Sequence, residues 1–298
     1  MPNLRDIRKR IETSININKI TATMEKIATA RMTRMVERME ASRAYTASLF
    51  DMAEDLYLTA LQEDRQQQFC ILTRRKKIQT AGIIFITSDQ GLCAGFNVAL
   101  NQELAGLEEK LQNAEIKLRY YAVGKKTIHY LKRRKVSAEY SLTGLNDRFT
   151  YEEIQDLRNH LAQDIKLGKI DDVYMVYTHY LSGGNYKVIS EPLSPCKILS
   201  KRIQGQKFPR VKPIICHPTL SELIKNFMPA IIFNRLYQAL LESMVCEQIA
   251  RRTAMRQATD AADDMIDELR SLYNTTRQGK ITREVNEMMG TVIALQRD

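Results

Sequence analysis

Tryptophan is absent from this chain of 298 residues, and glycine (12), proline (7) and histidine (4) are few. Each shortage excludes something. The histidines, His129, His160, His179 and His217, stand far from one another and from any cysteine pair, so no metal-ligand spacing exists. Cys70, Cys93, Cys196, Cys216 and Cys246 are odd in number and contain no C-x-x-C pair, which points to reduced thiols rather than a disulfide framework. There is no run of about 18 uncharged apolar residues, the length a membrane-crossing helix needs. Met1 to Glu12 carries no apolar signal-peptide core, and Asp6 and Glu12 argue against a transit peptide, so a mature, cytosolic start is expected.

The scarcity of helix breakers has a pattern. Ala230 to Gln278 holds 49 consecutive residues without glycine or proline, and none occurs between Pro2 and Gly82. In the C-terminal stretch, apolar residues return at three- and four-residue steps: Ile232, Leu236, Leu240, Met244, Ile249, Met255, Met265, Leu269 and Leu272. At 1.5 Å per residue such a helix spans roughly 70 Å, more than a compact core can cover. The N-terminal stretch shows the same habit. Asn3 can cap a helix with Asp6 in its first turn, Leu4, Ile7, Ile11 and Ile15 open an apolar stripe, and Ile20, Met24, Ile27, Met32, Met35 and Met39 continue it. This helix is expected to run to about Leu56. Two long helices at opposite ends of one chain predict an antiparallel coiled coil, loosely wound because the stripe is not a strict heptad. With residue numbers summing to roughly 300 across the pair, Arg34 and Arg38 would fall opposite Asp264, Asp267 and Glu268, a charge match that would fix register.

Between these helices the periodicity changes. Gly82 to Thr87 reads as a short buried strand and Lys117 to Val123 and Val136 to Leu142 as further strands, separated by helical patterns at Leu100–Leu111, Lys126–Arg133 and Ile154–Ile165. Val173 to Tyr177 and Tyr186 to Ser190 flank Ser182-Gly183-Gly184-Asn185, a hairpin at the sheet edge. Alternation of this kind predicts a Rossmann-like α/β domain of about five, largely parallel strands. The expected organisation is a coiled-coil helix over 1–60, a connector over 61–80, the α/β domain over 81–195, a Pro-rich basic linker over 196–220, and a second coiled-coil helix over 221–298.

Chemistry is hard to find in this domain. The turn after the first strand, Ser88 to Asn97, lacks the G-x-G-x-x-G fingerprint of a dinucleotide site. Gly124-Lys125-Lys126-Thr127 has the end of a phosphate loop without its upstream glycine. Cys93 has no histidine beside it and reads as a packed thiol. No catalytic residue, cofactor or metal is assigned. Lysine and arginine number 45 against 35 acids, a net charge of +10 that favours acidic partners. The basic runs Arg8–Arg10, Arg74–Lys77 and Lys132–Lys135 carry almost no aromatic residues for base stacking. A basic coiled-coil protein that binds nucleic acid or serves as a scaffold is the alternative reading.

Three separated motifs resemble those of the gamma subunit family of rotary F-type ATP synthases. Lys19 to Met32 (K-I-T-A-T-M-E-K-I-A-T-A-R-M) is similar to the family's K-I-T-x-A-M segment, and Ser88 to Asn97 (S-D-Q-G-L-C-A-G-F-N) to its central S/T-D-R-G-L-C-G-G-L-N turn. Arg251 to Ala262, with Tyr273 to Glu284, resembles the C-terminal A-T-D-N-A and Y-N-x-x-R-Q-x-x-I-T-x-E motifs. Gln90 replaces a basic residue, Ala94 a glycine, Arg252 an apolar residue and Ala22 a common lysine, which marks a divergent or alternative bacterial form. The resemblance implies a non-catalytic central stalk, one copy per complex, that turns inside three alpha and three beta subunits. Its foot would stand against the epsilon subunit and the ring of c subunits. That stalk couples proton or sodium flow to the catalytic cycle, at the cytoplasmic face of the bacterial inner membrane. It touches the membrane only through the complex, and binds no nucleic acid. By resemblance, Met24, Arg31, Arg251, Met255, Asp260, Arg277, Gln278, Thr282 and Glu284 contact partner loops or lock the two helices, and Asp89, Gly91, Leu92 and Cys93 belong to a partner-facing turn.

Overall fold

The computed structural model describes residues 3–62, 78–193 and 219–295. Most of the expected connector and linker lies outside them. Ten elements follow in order: α1 (Leu4–Gln62), β1 (Thr80–Ile86), α2 (Phe96–Asn113), β2 (Lys117–Val123), α3 (Lys125–Arg133), β3 (Ala138–Leu142), α4 (Gln155–Lys166), β4 (Asp172–Ser182), β5 (Asn185–Pro192) and α5 (Leu220–Leu295). The terminal helices run close to the expected 1–60 and 221–298. α1 reaches Gln62, a little past the expected end, and α5 runs from Leu220 to Leu295 through both Pro229 and Gly279. A single glycine costs a helix only about 1 kcal/mol, too little to end so long a run.

The chain divides into two compact units, residues 30–250 and the pair of segments 1–29 with 251–298. In the first unit the sheet order is β3-β2-β1-β4-β5. β1 to β4 run parallel and β5 returns antiparallel through the Gly183-Gly184 turn. Central strands covered on both faces read as continuous apolar runs, and β1 does so. Its side chains alternate between two cores. Ile84 and Ile86 join Tyr121, Val123, Met175 and Tyr177 on the face covered by α4, Met35 and Met39 of α1, and Leu236 and Leu240 of α5. Ile83 and Phe85 join Ala122, Val176, the Leu100–Leu111 stripe of α2 and Leu131 of α3 on the other. Farther along α1, Phe50, Ala53, Tyr57 and Ala60 pack against Ile231, Met228, Ile224 and Leu220 of α5, which run in the opposite direction.

α5 is polar where it passes this core, and several of its buried polar groups have partners, while Oε1 of Gln238 and of Gln248 finds none among the described residues. The Asn234 amide donates to Thr46 Oγ1 (2.8 Å) and accepts from the Tyr151 hydroxyl (3.0 Å). The Thr178 hydroxyl donates to Ser243 Oγ (3.1 Å), and His179 Nδ1 lies 2.5 Å from Glu242, which also faces Arg43. Arg235 engages Tyr177 and Glu191 together. Pairing of this kind turns an expensive burial into a specific one.

The second unit is a two-helix pair. Its buried α1 positions are Ile7, Ser14, Thr21 and Ala28, one every seventh residue. They face Met255, Ala262 and Ile266, the buried apolar positions of α5 in this unit. Ser14 donates to the Met265 sulfur (3.5 Å), Asn18 Nδ2 to the Thr259 carbonyl (3.2 Å), and Thr259 to the Thr21 hydroxyl (2.8 Å), an antiparallel arrangement.

Candidate partner-contact surfaces

The heptad seam leaves an apolar side of the first part of α1 exposed. Ile17, Ile20, Met24 and Ile27, spaced three, four and three residues apart, are 48, 60, 39 and 44 % exposed. The sequence reading put Ile20, Met24 and Ile27 in one stripe with Met35 and Met39. The structure buries the last two and turns the first three outward, because the small residues Ser14, Thr21 and Ala28 hold the seam. On α5, Leu272, Ile281, Val285, Met288 and Met289 are exposed as well. Contiguous exposed apolar side chains mark surfaces that other molecules cover. An open groove of about 670 Å³ beside the stripe is lined by Arg10, Ser14, Ile17, Met265, Glu268 and Leu269 among others.

The expected charge match across the pair is not made. Met265 meets Ser14, not a residue near Arg34. Arg34 binds Asp147 instead (2.6 Å), and Arg38 spans the carbonyls of Asp147 and Phe149 and the Tyr237 hydroxyl. Arg34 holds the Asp147 carboxyl below the ordinary carboxylate range. These arginines fasten the loop before α4 rather than set helix register.

In the first unit the central turn is built around Ser88 and Asn97. The Ser88 hydroxyl donates to the Gln90 carbonyl (2.7 Å), and the Asn97 amide donates to Ser88 Oγ (2.8 Å) and Cys93 Sγ (3.3 Å). Asp89 accepts from the backbone N–H groups of Lys125 (2.8 Å) and Gly144 (2.7 Å), capping α3 and tying the turn to two neighbouring loops. A carboxylate at a helix N-terminus is favoured by the helix dipole. It takes up the Lys125 N–H at the start of Gly124-Lys125-Lys126-Thr127, a donor that a phosphate loop would offer its ligand, and the Thr127 hydroxyl is itself buried against Thr87 and the carbonyls of Phe85 and Val123. Gly124 has φ +92, and a Cβ there would lie 2.3 Å from the Thr87 carbonyl oxygen. Leu92 adopts φ 62 with its side chain 65 % exposed, a posture that costs an L-residue about 1–2 kcal/mol. Beside it Cys93 is buried in one cluster with Phe96, Cys246 and Ala250. These side chains share one core with Ile83 and Phe85 of β1 and Val176 of β4. Burial pushes the Cys246 thiol up to about 12, so it stays protonated.

The residues singled out by resemblance therefore fall into two groups. Cys93, Arg251 and Met255 are buried. Met24, Arg31, Leu92, Asp260, Arg277, Gln278, Thr282 and Glu284 are exposed, with Asp89 and Gly91 half-buried. The outward Ile17 escaped the sequence reading. Its signal was its three-residue offset from Ile20, visible only once Ser14 and Thr21 are known to hold the seam. Among the described residues there is no cluster of His, Cys, Asp or Glu able to hold a metal ion, and no helix is long and apolar enough to cross a membrane.

The ATP synthase family model matches residues 3–295. The ATP synthase gamma chain of Leptospira biflexa is 32% identical over 297 residues, 99% of this chain and 100% of the relative. That of Gemmatimonas aurantiaca is 28% identical over 98% of each chain. Among solved structures, a chain of the Euglena gracilis mitochondrial ATP synthase (OSCP/F1/c-ring, rotational state 3) superposes with a TM-score of 0.64 at 16% identity, covering 98% of this chain and 94% of that one. A chain of the Tetrahymena thermophila central stalk/c-ring gives 0.58 at 18% identity, over 80% and 99%. No comparison supports the nucleic-acid alternative. A family match along nearly the full length, joined to the two-helix pair and the five-stranded sheet, settles the assignment: this chain belongs to the ATP synthase gamma-chain family.

Proposed function

We propose that this chain is the central rotor stalk of an ATP synthase, coupling ion flow through the membrane sector to the cycling of the catalytic beta subunits. It is a subunit of an enzyme complex, and the reading gives it no catalytic residue of its own. The observation that carries this is family membership over residues 3–295. The outward stripe Ile17, Ile20, Met24 and Ile27 supports it, since a shaft needs an apolar surface that neighbours can cover without pinning it.

On this reading one copy stands within three alpha and three beta subunits, above a ring of c subunits and beside epsilon, at the cytoplasmic face of a bacterial inner membrane. The helices over 1–60 and 221–298 serve as shaft and the domain over 81–195 as foot. Exposed Met24, Arg31, Asp260, Arg277, Gln278, Thr282 and Glu284 meet partner loops, and buried Arg251 and Met255 lock the helix pair. Asp89, Gly91, Leu92 and Cys93 make up the presenting turn, with Leu92 as its tip.

Co-expression with alpha and beta subunits tests this. The expected result is a complex with one copy of this chain per six others, which loses coupled ATP hydrolysis when residues 270–298 are removed. A stoichiometric complex with nucleic acid, and none with those subunits, would overturn the proposal.

A further inference from the structure

We propose that the polar network of Arg43, Tyr177, His179, Glu191, Arg235 and Glu242 is a mechanical key, which ties α1 and α5 to the β4–β5 hairpin so that neither helix slips under torque. The proposal rests on the rotor reading above. All of these residues lie within the unit of residues 30–250. Arg235, Gln238 and Glu242, spaced three and four residues apart, form one stripe along α5. Arg235 engages the Tyr177 hydroxyl and Glu191 together, and that hydroxyl donates to Glu191 in turn (3.2 Å). Farther along the stripe, buried Glu242 accepts from Gln238 Nε2 (3.2 Å), lies 2.5 Å from His179 Nδ1, and faces Arg43 of α1 at 3.8 Å. Arg43 also donates to the Tyr180 carbonyl (2.9 Å) and lies over the Tyr180 ring. Both helices are thus tied to the same strand pair.

The apolar contacts of α5 do not supply such a key. Ile232, Leu236, Leu240 and Met244 recur every fourth residue and pack into one core. A slip of one turn, about 5.4 Å, would set Leu236 where Leu240 lies. Hydrophobic contact is non-directional, and packed elements are able to ratchet past one another by one turn. The polar stripe has a single register. The same slip, or a rotation of α5 about its axis, would part Arg235 and Glu242 from their partners at once. Stability does not account for the network either. Apolar side chains of similar volume often match or better a buried ion pair, and Gln238 Oε1, buried in the middle of the stripe, has no partner among the described residues. What the network adds is directional placement, and a joint under torque uses that.

The test is ATP-driven ion pumping into vesicles by the whole complex, built with this chain or with the triple variant Tyr177→Phe, Glu191→Leu, Arg235→Met. That variant makes one half of the network apolar and leaves neither member of the Arg235–Glu191 pair behind. The isolated variant should melt at the parent's temperature or above. Its complex should hydrolyse ATP at the parent's rate when no gradient opposes it, yet build a smaller steady-state ion gradient, because slip appears only under load. Arg43→Met, which cuts the α1 arm at a half-buried site, should lower the gradient less, and Arg43→Lys should restore it. Gradients equal to the parent's in both the triple variant and Arg43→Met overturn the proposal. So does a smaller gradient matched by an equal loss of unloaded hydrolysis or by a lower melting temperature, since the network would then be structural only. A parent complex that pumps no ions overturns the rotor reading itself, and this proposal with it.

Discussion

The two units of this chain spend apolar side chains in opposite ways. In residues 30–250, strands and helices bury large groups completely: Tyr121, Tyr177, Phe85, Phe149 and Leu100 are at or near zero exposure. In the helix pair of 1–29 and 251–298, the buried apolar residues are Ile7, Ala28, Met255, Ala262 and Ile266, while Ile17, Ile20, Met24, Ile27 and Met265 face outward. The first unit carries the means of its own stability. The second leaves an apolar stripe open to solvent, the feature that the proposed contact-making shaft would use.

Mutations can break the comparison at either side. The largest effect is expected at Leu100→Ala, which empties a fully buried site between α2 and the sheet; urea titration should show a loss of about 3 kcal/mol, against less than about 0.5 kcal/mol for Ile17→Ala on the outward stripe. Comparable losses from both would erase the distinction. Gly124→Ala comes next. With φ +92 and the Thr87 carbonyl in the way, it should cost about 2 kcal/mol or more. Asp89→Ala removes the acceptor for Lys125 and Gly144 N–H groups and should cost about 1 kcal/mol.

The smallest effect concerns Asp147 and Arg34. Because the folded carboxyl sits below its unfolded value, its contribution is present above the ordinary carboxylate range and is lost as pH falls through the lowered folded value. Arg34 is half exposed, so the pair is worth less than about 1 kcal/mol. Arg34→Ala should lower the melting temperature slightly at pH 7 and by less at pH 2. An equal drop at both would assign Arg34 a packing role.

Much of the first unit was legible in the residues. G-I-I-F-I-T reads as a buried strand, S-G-G-N as a hairpin turn, and the Leu100–Leu111 spacing as a helix face, because each signal is local. Strand order was not legible: β4 joins β1 on the side away from β2, and nothing in either strand says so. The helix register failed for a different reason. Ser14, Thr21 and Ala28 carry no hydrophobic signal, so apolar Ile20, Met24 and Ile27 seemed the natural seam. Arg34 and Arg38 likewise looked bound for the distant acids of α5, when their partners lie in a loop that only the fold brings near. The candidate contact residues came from family motifs, and the structure sorted them into buried and exposed.

The claim that the outward stripe is completed by partner subunits has one direct test. The double variant Ile20→Asp, Met24→Asp should melt at the parent's temperature as an isolated chain, since both side chains already face solvent. In a reconstituted complex it should lose most ion-coupled ATP synthesis. Normal coupled synthesis with the stripe charged, or unfolding of the isolated variant, would contradict the account.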